Sequence, residues 1–445
     1  MAIRMSRKAG FSLGQSRRCA RTLGGFLMAT SVVLSTAARP ASGASVTSAP
    51  PLPAPTGTVL NVSTESQLQA AVDSLTSNTT ILIAPGTYNL TSTLWVNGSL
   101  SDVVIRGATN TPSDVVLVGK GMANAGYGNV PHGIWAGGGV LRLMIANLTI
   151  RDVYYHPIIF NAGTQSPRVY NVHLINAGEQ FIKSNPNGNG GGVDNGVVEY
   201  TVMEYATTAR SDYTNGVDVH TGRDWVIRNN LFRNIRAPQG QLAGPAVLMW
   251  NGSSGTVVEG NTFVDCQREI ALGLIDRSPS DHSGGVVRNN FIHRAQAIAG
   301  DTAIGIFDSP NSQVVHNSIF VHGTYPSPIE YRFAGSTGIS ITNNLLDGAI
   351  LARDGGQATL AANYTTAQAS MFVDPSSGDL HLRSTATTAI DRGVSSNTTQ
   401  DWDGEGRPFG IAPDIGADEY RATGTGLPGA PQNLRIVTPR PPLFQ

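Results

Sequence analysis

Trp225-Val-Ile-Arg-Asn-Asn230-Leu-Phe232 and Thr256-Val-Val-Glu-Gly-Asn261-Thr-Phe263 are one phrase written twice. It returns as Gly285-Val-Val-Arg-Asn-Asn290-Phe-Ile292, Gln313-Val-Val-His-Asn317-Ser-Ile-Phe320 and Ile339-Ser-Ile-Thr-Asn-Asn344-Leu-Leu346. Weaker copies centre on Asn147, Asn171 and Thr201, so the steps between copies are 24, 30, 29, 31, 29, 27 and 27 residues. A period of this size marks a solenoid. Each copy joins β-branched alternation to an Asn turn, so the unit is built from strands. Equivalent residues of stacked parallel coils lie about 4.8 Å apart. An Asn at the bend can then hydrogen-bond its copies above and below, and it tolerates left-handed dihedrals. A second apolar run precedes each phrase: Ile158-Ile-Phe160, Phe181-Ile-Lys183, Gly216-Val-Asp-Val-His220, Ala246-Val-Leu-Met-Trp250, Glu269-Ile-Ala-Leu272, Ala303-Ile-Gly-Ile-Phe307 and Ile329-Glu-Tyr-Arg-Phe333. The expected fold is all-β, a single-stranded right-handed parallel β-helix of roughly eight to ten coils.

Upstream, Leu68, Val72 and Leu75 have helical spacing, and Thr64 with Gln67 forms a capping box. A short helix there would cover the open first coil, which an end-exposed solenoid requires. The composition agrees with a turn-rich β protein. Among 445 residues there are 51 Gly, 25 Pro and 30 Asn, with only 14% charged. A hydrophobic share of 40% supports a sizeable core. Lys and Arg number 30 against 31 Asp and Glu, a formal charge of −1, which argues against a nucleic-acid partner.

Residues 1–43 read as an export signal: six basic residues and no acid within 1–24, the apolar run Leu23 to Leu34, then small residues at Ala41-Ser42-Gly43. Arg17-Arg18 carries part of a twin-arginine pattern. The run is too short to span a membrane, and no later stretch qualifies. Secretion to the periplasm, the medium or the cell surface is therefore expected. Cleavage would remove Cys19 and leave Cys266 alone, so no internal disulfide would hold the fold. Residues 44–58 read as a Pro-rich linker, residues 59–355 as the β-helix, and residues 421–445 as a Pro/Gly-rich tail.

The opening from Ser63 to Tyr88, with the Asn-Asn phrases, resembles the pectin-lyase-like superfamily of secreted β-helix proteins. Residues 371–420 resemble a terminal module common on exported bacterial β-helix proteins, carried by Asp401-Trp-Asp-Gly-Glu-Gly-Arg-Pro408 and Asp414-Ile-Gly-Ala-Asp-Glu-Tyr420. A small β module over 356–420 is therefore expected. Glu179-Gln-Phe-Ile-Lys183-Ser184, followed by Gly216-Val-Asp-Val-His220-Thr-Gly222, resembles the chondroitinase B and alginate lyase family. The chain departs from that family in having His220 where an Arg is expected, a single acid before Lys183, and a long interval from Asn185 to Thr214. The first two departures bear on the acid and the metal site that the resemblance implies.

Lysis of a uronate polymer needs a base for the C5 proton, an acid for the leaving oxygen, and positive charge on the carboxylate. Lysine serves as such a base where neighbouring cations hold it neutral. Lys183 is the candidate base, His220 or Tyr213 the acid, and Arg210 and Arg268 the carboxylate binders. Asp218 and His220 are two apart on a strand and share a face, outward if Val217 and Val219 point in. Asp218, Trp250, Arg268 and Glu269 are the candidate substrate contacts, and Glu179 the candidate metal ligand, with calcium the possible ion. The competing account is a solvated outer face with ordinary charge pairs, a core Trp250 and a structural Arg268–Glu269 pair. The expected protein is a monomeric lyase acting on an acidic polysaccharide. The alternatives are an inverting hydrolase using Asp194, Asp212 or Asp218, and a non-catalytic surface solenoid.

Overall fold

The structure is a computed structural model that describes residues 48–422. The expected export segment and nearly all of the tail lie outside them. Each coil gives one strand to a ten-stranded parallel sheet, here the front sheet, which runs from Leu94–Asn97 through Ile182–Ser184 and Val217–His220 to Ile350–Arg353. On the back, a coil contributes two short strands. Val226–Arg228 and Leu231–Arg233, for example, pair in parallel with Val257–Glu259 and Thr262–Val264 of the next coil. Parallel pairing runs on to Ala358–Ala361, so the last coil closes a little beyond the expected boundary at 355. The interval from Asn185 to Thr214 is not one long loop. It carries the back strands Val197–Glu199 and Val202–Glu204.

The core follows from alternation. Val217, Val219, Ile227, Val247, Met249, Val258 and Leu272 point into the coil and are fully buried in one continuous apolar cluster. Asn230, Asn261, Asn290, Asn317 and Asn344 stack as expected, each Nδ2 donating to the next Oδ1 at 2.9–3.0 Å, and Asn363 ends the ladder. The expected left-handed backbone falls elsewhere. In these coils the residue before the ladder position carries positive φ: Asn229, Gly260, Asn289, His316 and Asn343. Only the early copies, Asn147 and Asn171, do both jobs. The doubled Asn separates the two tasks, one residue making the bend and the next sending its amide up the axis. Asn261 is fully buried, and its removal leaves Asn230 N–H without a partner and takes from Ile227 O the amide that supplements its ladder bond. Asn261→Ala is therefore expected to cost about 3 kcal/mol, read by urea unfolding. A loss below about 0.5 kcal/mol would show that the ladder does not hold the coils.

The helix α1, Glu65–Asp73, packs Leu68 and Val72 onto the first coil. Thr64 accepts the Gln67 N–H at 3.2 Å, while the Gln67 side chain accepts from Ser63 N–H, one residue earlier than a strict capping box. After the last coil, Phe372–Asp374 and Asp379–Leu382 form a small antiparallel pair. This segment folds back onto the back strands: Met371, Phe372, Leu380 and Leu382 make a second apolar core with Phe291, Phe320 and Leu345. Among the described residues, no helix is long and apolar enough to cross a membrane.

Candidate active site

The front sheet sets the site by register. Lys183 pairs with Asp218, and His220 pairs with Trp250 one strand on, so all four side chains lie on the outward face. Lys183 Nζ donates to Asp218 Oδ2 at 2.5 Å and lies 2.8 Å from His220 Nε2. Trp250 Nε1 donates to the other Asp218 oxygen at 2.9 Å, and its ring packs on the His220 ring at 4.5 Å. Burial alone would raise the Asp218 carboxyl, but His220 and Lys183 beside it hold it below the ordinary carboxylate range. Lys183 and Asp218 are buried, His220 half-buried and Tyr213 exposed. An ammonium has three N–H donors. Asp218 and His220 engage two, and the third has no partner among the described residues.

One turn back, Arg210 Nη2 donates to Glu179 Oε1 at 3.2 Å, and its guanidinium lies over the Tyr154 ring at 4.1 Å. Arg210 Nη1 is buried without a partner. Burial raises the Glu179 carboxyl, opposed by Arg210 and Lys183. Partial burial raises the Tyr213 hydroxyl, and the negative charges of Asp218 and Glu179 add to it. His156 is set by its Nδ1 contact to Gln180 O at 3.1 Å and by stacking on His132, with rings 5.3 Å apart and 10° from parallel.

Lys183, Asp218, His220 and Trp250 thus form one contact cluster, with Glu179, Arg210 and Tyr213 beside it. Four of the expected roles meet a different arrangement. Glu269 is not a substrate contact: it is fully buried and paired with Arg294 at 2.8 Å, because residues 294–302 fold over it. Arg268 pairs with Asp301 rather than Glu269, also at 2.8 Å, and stands three strands from Lys183, roughly 14 Å along the axis. Glu179 faces a guanidinium rather than a set of oxygens, so its geometry is that of a counter-ion. Asp218 has both oxygens engaged, one by Lys183 and the other by Trp250. Among the described residues, the ligand-like group His381, Asp403 and Asp418 lies in the C-terminal segment and does not include Glu179.

Tyr154, Tyr155, His132 and His156 were not legible strand by strand. The 24-residue step from Asn147 to Asn171 could have found them, since it sets Tyr155 level with Glu179. The backbone bond from Glu179 N–H to Tyr155 O does so in the structure.

Buried ionisable groups predict the acid response. Burial pushes His132 and His293 down to about 4, and His156, His282 and His316 to about 3. These stay neutral when folded but bind protons from about pH 6.5 downward when unfolded, so they withdraw stability as pH falls. Burial raises Glu269 and Asp418 to about 7, and Asp401 and Asp414 to about 6. There the folded state holds the extra protons, so stability grows as pH falls toward the ordinary carboxylate range, where that gain ends. The two sets offset each other between about pH 6.5 and 4.5, and below that the histidines are joined by carboxyls that folding holds low, Asp218 and Asp301 among them. Tm is expected to change little over that interval and to fall steeply beneath it; a Tm that keeps climbing to about pH 3.5 would contradict the assignment.

The sheet pairing defines a parallel β-helix, and a family model described as "Right handed beta helix region" matches residues 157–364. The fold is a right-handed parallel β-helix. No curated protein matches the sequence. Among solved structures, an alginate lyase from Paenibacillus sp. str. FPU-7 is similar at 15% identity and TM-score 0.49, covering 69% of this chain and 99% of that one. The pectate lyase Pel9A is similar at 18% identity and TM-score 0.40, covering 79% and 90%. The Streptococcus pneumoniae surface protein and adhesin PfbA is similar at 13% identity and TM-score 0.37, covering 68% and 92%.

Proposed function

We propose that this chain is an exported polysaccharide lyase that cleaves a uronic-acid-containing polymer by β-elimination. The observation that carries the reading is the 2.8 Å approach of Lys183 Nζ to His220 Nε2, with Asp218 beneath both. In this reading a proton passes along that contact from Lys183 to His220. With the proton on His220, Lys183 is a free amine that takes the C5 proton. The electron pair left at C5 forms the new double bond as the bond to the glycosidic oxygen breaks, and His220 returns a proton to that oxygen. Asp218 neutralises whichever partner is charged. Arg210, partly exposed beside Glu179, is assigned to the substrate carboxylate. Tyr213, exposed at the rim, is the alternative acid.

The test is ultraviolet absorbance of unsaturated uronate ends on alginate, polygalacturonate, chondroitin sulfate and hyaluronan, with and without calcium. A rise on one polymer supports elimination and names the substrate. Reducing ends without the rise would mean a hydrolase, and silence in both assays a non-catalytic solenoid.

A further inference from the structure

Two tryptophans stand on the front sheet in file with Lys183. Register pairs Trp95 with Trp135, Trp135 with Ile159, and Ile159 with Lys183. Trp135 therefore lies two strands and Trp95 three strands from Lys183, roughly 10 and 14 Å along the axis. The two rings approach to 5.3 Å at 52°. Trp95 is 44% exposed. An indole left in water on a regular sheet forgoes the burial that such a side chain would gain elsewhere. The position of Trp135 is enforced by its neighbour. A Cβ on Gly137 would meet the six-membered ring at 2.4–3.1 Å, so glycine there lets the indole lie flat along the sheet.

We propose that Trp95 and Trp135 form a stacking platform for the pyranose rings of a polysaccharide chain running along the helix axis. The platform would hold the sugars two to three units from the bond positioned at Lys183. This inference rests on the proposed polysaccharide-cleaving reading and adds a binding subsite to it. Indole faces pack against the C–H faces of pyranose rings while the sugar hydroxyls stay in water, which suits an aromatic pair that is partly exposed. The strand spacing of about 4.8 Å is close to the advance per residue of an extended 1,4-linked chain, so successive sugars keep step with successive strands. Short substrates that end before the platform would forgo this contact, and the platform thereby favours long chains.

The test separates binding from catalysis by using Lys183→Arg, which keeps the charge against Asp218, as the parent for binding. Migration is compared in gels containing alginate, polygalacturonate, chondroitin sulfate or hyaluronan, with and without the added pair Trp95→Ala and Trp135→Ala. The pair is expected to weaken binding of the retained polymer by about tenfold or more, while Trp95→Phe with Trp135→Phe keeps most of it. A matching Tm between parent and variant excludes unfolding as the cause. Equal retardation of parent and variant would overturn the platform, as would a parent that binds none of the four polymers. The two readings fail separately. Weakened binding with no unsaturated product from the native chain sinks the lyase and keeps the platform. Elimination with an unchanged KM in the Trp pair does the reverse.

Discussion

Lys183→Ala should abolish the formation of unsaturated ends, with a loss of about 100- to 10,000-fold in kcat, the range for removing a positioned general base. The substitution alone is ambiguous, because Lys183 is also the buried cation of Asp218, and its removal strands a carboxylate that is 2% exposed. Lys183→Arg separates the roles. Arginine keeps the positive charge against Asp218 and so restores most of the stability, but it does not give up its proton at any working pH. The account expects Lys183→Arg to melt close to the native chain and to remain as inactive as Lys183→Ala. An active Lys183→Arg would reduce Lys183 to an ion-pair partner. His220→Gln should lower kcat more than it raises KM, since His220 acts on the proton and not on ground-state binding.

Arg294→Met should cost about 3–5 kcal/mol, the range for breaking a fully buried ion pair from one side. Both Arg294 and Glu269 have no exposed side-chain surface. The guanidinium donates to Glu269, to Cys266 O at 3.0 Å and to Asp301 O at 2.9 Å, so one substitution orphans a carboxylate and two carbonyls. Glu269 Oε1 already lacks a partner. Burial raises the Glu269 carboxyl to about 7 even with Arg294 opposing. Without Arg294 it should titrate higher still, so the variant's deficit should be largest above about pH 7 and shrink in mild acid, where Glu269 takes up a proton. Chemical unfolding at two pH values reads this directly. Adding Glu269→Gln should recover much of the loss, and a deficit that does not depend on pH would place the damage elsewhere.

The fold was legible because the repeat states it many times. Asn261 and Asn290 announce the turn, and Val217 with Val219 announces the inward face. The same alternation put Lys183, Asp218 and His220 on one surface, and strand register then brought them into contact. What a single strand does not encode is what later coils lay over it. Glu269 has the parity of the outward Ala271, yet Arg294, supplied 25 residues later, covers it. Gly300 packs so tightly on that guanidinium that a Cβ there would meet it at 2.1 Å, a closeness only the assembled coil reveals. The backbone role of the ladder Asn was misplaced by one residue for a related reason: Asn229 and Asn230 look alike in sequence, and only one of them faces the stack. Trp95 and Trp135 were unremarked because their relation to Lys183 runs through Ile159, which carries no chemistry of its own.

The central claim is that this site breaks its bond by elimination, and digestion in heavy-oxygen water tests that most directly. β-Elimination adds no water across the bond. The account therefore predicts that a cleaved uronate polymer gives fragments whose masses sum to that of the parent, with no heavy oxygen at either new end. One heavy oxygen per cleavage would mean hydrolysis and would contradict the roles given to Lys183 and His220.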